Sequence, residues 1–297
     1  ALLNSQPMGF YAPSQLVQDV RRHGIEVRPV DVLASDWDCT LEYPPCPPAP
    51  RMATSDRRTK ASQGALRLGL RMVKGLSEAA AVRIVAARRH RPASAEALAR
   101  VAELNRHDLA CLAQAGALAA LSGHRRHALW QIGGIENAPP PLLANLPTRE
   151  TAVNLAAPSE AQDIVADYRS LGLTLGRHPM ALLRPQLQRR RMVSAEQLRV
   201  LPHGRLTRVA GLVTGRQRPD TASGVIFITL EDESGHINVI VWRQLLERQR
   251  QEVLGARLLG VYGTVERQGD VVHVLAGRLA DLSPLLGALQ PSSRDFH

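Results

Sequence analysis

Two proline clusters limit what this chain can build. Tyr43-Pro-Pro-Cys-Pro-Pro-Ala-Pro50 can be neither helix nor central strand, because proline lacks the N–H and fixes φ. A second cluster, Ala138-Pro-Pro-Pro-Leu-Leu, opens a loose stretch that runs to about Pro158. The 297 residues leave room for two or three domains around such breaks. Apolar residues make up 44% and charged residues 22%, a globular composition that excludes wholesale disorder. No apolar run approaches the ~18–20 residues of a membrane span. Cys39, Cys46 and Cys111 are too few and scattered for a disulfide framework, which points to a reducing cytoplasm. The chain opens on Ala1-Leu2-Leu3 with neither initiator Met nor signal segment, and so reads as a piece of a longer protein.

Between the breaks the pattern changes from helical to extended. Residues 12–23 predict a helix with Gly24 as its stop, and Ile25 to Val32 a short strand. From Leu66 to Trp130 the periodicity is helical: Leu66–Val73, Glu78–Arg89, Ala95–Ala102 and Arg106–Ala115, the last closed by Gly116. Two helix–turn–helix units in succession suggest a duplicated element. Glu160–Leu171 predicts another helix. From Leu206 five β-branched segments follow, Val209–Thr214, Val225–Leu230, His236–Val241, Arg257–Val265 and Val271–Leu275, with helical composition at Arg243–Glu252. Five strands with a helix between the third and fourth is the OB-fold order. The expected class is α+β multidomain, an all-α tandem helix-hairpin-helix domain followed by a five-stranded OB-fold barrel.

Charge is concentrated in the middle. Residues 1–50 carry 3 basic and 6 acidic side chains, 51–130 carry 15 and 5, 131–205 carry 9 and 6, and 206–297 carry 10 of each. Only Lys60 and Lys74 are lysines; the other 35 basic residues are arginines. Such a local excess attracts a polyanion, although a solvated helical surface in an Arg-biased genome would have the same composition. No helix pairs a basic face with a bulky aromatic one, as membrane-surface binding would require.

Leu70-Arg71-Met72-Val73-Lys74-Gly75-Leu76-Ser77-Glu78 is the most informative local pattern. A glycine permits a tight turn and close approach, and the helix that follows presents unpaired N–H groups at its positive dipole end. Arg71 and Lys74 add mobile charge, and Arg83 lies on the same helix. Gly75, Leu76 and Ser77 complete a phosphate cradle that reads no bases. The plainer alternative is an ordinary helical turn with Ser77 as N-cap. Leu104, Asn105 and Arg106 supply a second copy. In the extended region Phe227 and Trp242 fall on the second and third strands, flanked by Arg208, Arg216, Arg218 and Arg243, a set suited to stacking single-stranded nucleic acid. A strand phenylalanine can equally be core.

Other constellations lack support. His124 and His127 have no cysteine at zinc-ligand spacing. Asp36 and Asp38 could ligate magnesium, yet Trp37 and the surrounding loop favour a turn. Glu231-Asp232-Glu233 reads as a solvated tip, and no nucleophilic triad has context, so no catalytic centre or metal site is expected in this chain.

Leu2-Leu3-Asn4-Ser5-Gln6-Pro7-Met8-Gly9-Phe10-Tyr11, Gln15-Leu16-Val17-Gln18-Asp19, Arg21-Arg22-His23-Gly24 and Arg28-Pro29-Val30-Asp31-Val32 resemble the end of the fingers region in bacterial C-family DNA polymerases of the alpha-subunit type. Leu68-Gly69-Leu70-Arg71-Met72-Val73-Lys74-Gly75-Leu76 and Ala115-Gly116-Ala117-Leu118 resemble that family's tandem helix-hairpin-helix segment. Ser170-Leu171-Gly172-Leu173 with Arg177-His178-Pro179 resembles its bridge to the OB domain. Ser35-Asp36-Trp37-Asp38-Cys39-Thr40-Leu41-Glu42, and an end soon after the OB-like segment, are most similar to the error-prone damage-tolerance branch.

The resemblance implies the end of the fingers over 1–50, a linker over 51–65, helix-hairpin-helix over 66–135, a linker and bridging helices over 136–205, OB fold over 206–283 and a tail over 284–297. It implies primer–template DNA as partner, with single-stranded template at the OB fold. It also implies recruitment by polymerase-like and recombinase-like accessory proteins. The family's sliding-clamp peptide, Gln, two variable residues, Leu or Met, then Phe, does not occur here, so direct clamp binding is not expected. Magnesium ions for nucleotidyl transfer would be bound by palm carboxylates outside this chain, which alone should be inactive. A replicative alpha subunit, a stand-alone nucleic-acid-binding module and an assembly scaffold are the alternatives.

Overall fold

A computed structural model describes residues 2–7, 12–43, 64–135, 153, 155–218, 224–269 and 271–289. The prolines of both clusters and Cys46 lie outside these residues. The chain divides into two compact units, Ala1–Leu175 and Gly176–His297.

The first unit opens with α1 (Pro13–Arg22), which begins on a proline and stops before Gly24 in the left-handed region at φ +78°. A small sheet follows, with β1 (Val27–Arg28), β2 (Thr40–Glu42) and β3 (Ala65–Arg67) in the order β1-β3-β2. The helix expected over Leu66–Val73 is therefore corrected: it is strand β3 followed by a single 3-10 turn, Leu70–Met72. The N–H groups of Leu66 and Leu68 donate to the carbonyls of Glu26 and Arg28, while β2 pairs along the other edge. At Gly69 a Cβ would stand 2.3 Å from the Trp37 carbonyl oxygen. Strand pairing and that close approach override the helical spacing.

Among the described residues six α-helices complete the unit: α2 (Glu78–Ala87), α3 (Ala95–Val101), α4 (Arg106–Gln114), α5 (Ala119–Ser122), α6 (Arg125–Gly133) and α7 (Glu160–Ser170). Ser77, Ser94, Asn105 and Ser159 each accept from the N–H three residues on, which satisfies an otherwise orphaned donor. Leu68, Leu70, Ile84, Leu98, Leu109, Leu112 and Leu118 are fully buried, and Leu3, Val17, Val30 and Val32 belong to the same cluster. Residues 1–50 and 66–135, expected as separate domains, thus share one core.

In the second unit α8 (Pro179–Arg189) and α9 (Ala195–Arg199) precede the strands β4 (Leu206–Gln217), β5 (Ile226–Asp232), β6 (Gly235–Val241), β7 (Leu258–Gln268) and β8 (Val271–Asp281). Short helices α10 (Arg243–Arg248) and α11 (Arg250–Gly255) lie between β6 and β7. The strands close a barrel in the order β4-β5-β6-β8-β7, with β7 returning to β4 and only β6–β8 parallel. The OB order read from the sequence is the observed one. Val209, Ile228, Leu230, Val239, Val261 and Val274 fill the interior. Buried Met180, Leu183 and Leu187 place α8 against β4 and β5, so the bridging stretch 136–205 divides between the units.

One residue of the expected solvated tip behaves otherwise. Asp232 is buried, and Arg184 of α8 reaches it at 3.0 Å and Glu233 at 2.5 Å. No helix among the described residues is long and apolar enough to cross a membrane.

Candidate nucleic-acid interface

Among the described residues, four turns in the helical unit place a left-handed residue between two buried apolar ones. Gly75 (φ +86°) lies between Val73 and Leu76, Glu103 (φ +49°) between Ala102 and Leu104, Gly116 (φ +72°) between Ala115 and Ala117, and Gly172 (φ +78°) between Leu171 and Leu173. The buried pair anchors each turn and leaves its apex outside. At the first, Lys74, Gly75 and Ser77 are exposed and Leu76 is the anchor. A Cβ on Gly75 would meet the Cys111 sulfur at 3.0 Å and His107 Nε2 at 3.2 Å, so α4 packs directly on this hairpin. The second turn has the repeat's shape, but its apex carries the carboxylate of Glu103, which repels a phosphate.

The expected cationic residues are engaged with the protein itself. Lys74 Nζ donates to the carbonyls of Tyr168 at 3.0 Å and Arg169 at 3.1 Å, closing the C-terminal end of α7. Arg71 pairs with Asp38 at 2.5 Å, its guanidinium carbon 6.0 Å from the centre of the Trp37 ring. Arg83 Nε donates to the Ala102 carbonyl at 2.8 Å. Arg106 reaches the Gly133 carbonyl at 3.2 Å, and Asn105 is occupied as the cap of α4. Arg88 donates to the Val32 and Ser35 carbonyls and pairs with Asp36, so both carboxylates weighed for magnesium hold arginines instead. Arg125, nearly buried, pairs with Asp163 and Asp167 at 2.5 Å each. Burial still pushes the Asp167 carboxyl up, against the pull of Thr174 and Arg125. Much of the central basic excess therefore holds this unit together. Among the described residues no group of three or more His, Cys, Asp or Glu could hold a metal ion.

On the barrel, Phe227 is half-buried on the outer side of β5, between the inward Ile226 and Ile228. Trp242, 55% exposed, follows β6 and opens α10. Arg243 is exposed and pairs with Glu247 at 2.8 Å. Arg216 donates to the Val253 carbonyl at 2.6 Å and to that of Ala256, closing α11. Arg216 and Arg218 also border a pocket of about 230 Å³ with Ile226, Leu246, Arg250 and Leu254. Arg208 does not join this group. It stands opposite Tyr262 of β7, which in turn stands opposite Arg278 of β8. Sequence reasoning missed Arg278 because the fifth strand was expected to end at Leu275 and it runs to Asp281, and missed Tyr262 because the register that sets it between two arginines is not a local signal.

Helix-hairpin-helix turns and a closed OB barrel in one chain are the folds of nucleic-acid-binding modules. Residues 24–128 match the family model described as a helix-hairpin-helix motif, and 207–282 that described as an OB-fold nucleic acid binding domain. Over its whole length the chain is homologous to proteins named error-prone DNA polymerase: 56% identical to that of Azoarcus sp. strain BH72, and 55% to those of Alkalilimnicola ehrlichii and Pseudomonas fluorescens Pf-5. It spans 27–28% of the length of these relatives. Among solved structures, asparaginyl-tRNA synthetase from Pyrococcus horikoshii matches 35% of this chain and 23% of its own at 19% identity and a TM-score of 0.27, too partial to define a shared fold.

Proposed function

We propose that this chain is the DNA-holding part of an error-prone DNA polymerase acting in damage-induced translesion synthesis and mutagenesis. Homology over the whole chain to about 27% of such polymerases carries this reading. The helical unit grips primer–template duplex through its hairpins, with Gly75 and Ser77 at the backbone contact beside Lys74, whose charge serves the phosphate while its Nζ also holds the α7 carbonyls, and the barrel guides single-stranded template. Phosphate contacts are blind to base identity, so the grip tolerates a damaged template base. Nucleotidyl transfer with magnesium belongs to a palm outside these residues. Accessory polymerase-like and recombinase-like proteins, rather than direct clamp contact, bring the enzyme to lesions in the cytoplasm.

Filter binding of the 297-residue chain to primer–template DNA tests this. Steep salt dependence without nucleotide incorporation is expected, and Lys74→Ala should weaken binding by about 1–2 kcal/mol, the size of a charge-assisted phosphate contact. A chain that leaves DNA unbound removes the DNA-holding role. If Lys74→Ala and Arg71→Ala alter neither affinity nor salt slope, only the hairpin contact fails.

A further inference from the structure

Arg208, Tyr262 and Arg278 form one row across β4, β7 and β8. The guanidinium carbons lie 5.5 Å and 5.1 Å from the centre of the phenol ring, hence within about 11 Å of each other. Cation–π attraction to the shared ring offsets part of the repulsion between two positive charges so placed. Among the described residues no carboxylate pairs with either arginine, whereas Arg28, Arg67, Arg125, Arg184 and Arg243 each hold at least one. No described residue neutralises these two charges.

More positive charge converges at the same place. The Val193 N–H donates to the Arg208 carbonyl at 2.8 Å, and Arg208 Nη1 lies 3.5 Å from the Arg190 carbonyl oxygen. The exposed run Arg189-Arg190-Arg191 is thereby held beside this end of β4. The neutral balance of 206–297 conceals this, because that boundary excludes the run; the compact unit Gly176–His297 carries 17 basic against 11 acidic side chains.

We propose that the Arg208–Tyr262–Arg278 row is a contact for the phosphodiester backbone of single-stranded DNA. This face is distinct from the one that carries Phe227. Phe227 pairs with Gln217 and Ile240, and Gln217 is nine residues, about 30 Å of strand, beyond Arg208. The inference rests on the DNA-holding role above and specifies where the barrel exerts it. Each guanidinium offers a planar fork of donors that matches a phosphate, and its outer plane can stack a base. Tyr262 is a positioning residue that fixes the spacing of the two forks. The row spans two interstrand spacings, about 10 Å, on a convex surface. A flexible single strand can follow that surface and bring successive phosphates to both forks.

Fluorescence anisotropy of the 297-residue chain with labelled oligo(dT), across a salt series, tests the row. Arg208→Ala/Arg278→Ala should weaken binding about tenfold or more. It should also lower the slope of log affinity against log salt by about 1.4, the value for two single-strand phosphates. Tyr262→Leu should lower affinity with a smaller slope change, since both charges remain, and Tyr262→Phe should match the wild type and control for folding. Unchanged affinity and slope in the double-arginine variant would overturn the proposal, as would a loss confined to duplex DNA. Loss on Phe227→Ala/Trp242→Ala alone assigns the strand to the other face and also overturns it. Wild-type chain that binds duplex but no oligo(dT) sinks this inference and leaves the hairpin role standing; binding to neither sinks both.

Discussion

Asp232 shows how much one buried carboxylate can organise. Oδ1 accepts from the Ser234 N–H and hydroxyl at 2.8 Å and the Gly235 N–H at 3.0 Å, while Oδ2 accepts from the Ala195 N–H at 2.7 Å and from Arg184. One side chain thus ties the β5–β6 turn to α8 and α9. Asp232→Ala leaves several N–H donors without their acceptor and Arg184 paired with Glu233 alone, and should cost about 3–5 kcal/mol in denaturant titrations, with Asp232→Asn milder. An alanine variant as stable as wild type would contradict that role. Glu42 gives a pH signature. Hydrogen bonds from Arg67 and then Arg28 hold its carboxyl below the ordinary range, against the opposing effect of desolvation. A lowered folded value contributes stability above the ordinary carboxylate range and loses it as pH falls through the depressed value. Glu42→Gln should therefore flatten the acid limb of the stability curve of the first unit, as followed by circular dichroism. Neither partnership was legible locally: Glu231-Asp232-Glu233 has surface composition, and Glu42 lies 25 residues from Arg67.

At the scale of elements, local signals held wherever chain neighbours decide the outcome. Ser77 caps the helix its position predicts, and Gly24 and Gly116 end helices as stops do. Gly75 combines φ +86° with close packing by Cys111, so Gly75→Ala should destabilise the first unit by about 1–3 kcal/mol. Ser77→Ala, which removes only a cap, should cost about 1 kcal/mol. Thermal melts that rank these two in the opposite order would contradict the hairpin geometry. Leu66–Val73 failed as a helix because its partners, β1 and β2, are remote in sequence and no local pattern records them. The barrel strands were found because each segment is rich in β-branched residues; their ends were not, since a strand continues as long as a neighbour pairs with it.

At the scale of the whole molecule, the described residues form two cores, one built from α1 to α6 with the small sheet and one inside the barrel. Calorimetry should resolve two transitions. Leu109→Ala, at a fully buried position, should lower the transition of the first unit by about 2–5 kcal/mol and leave the barrel's in place. A single transition displaced as one would contradict this. What the sequence alone determined is the order of its pieces: proline breaks, capped helices at hairpin spacing, then five strands around a helix. Each of these depends on torsion limits or on periodicity within a dozen residues. Which arginines serve the protein and which face outward was decided only by the tertiary structure. A guanidinium takes whatever carboxylate or carbonyl the fold brings to it. Arg71 meets Asp38 across 33 residues and Arg184 meets Asp232 across 48, while Arg208 finds a tyrosine and a second arginine.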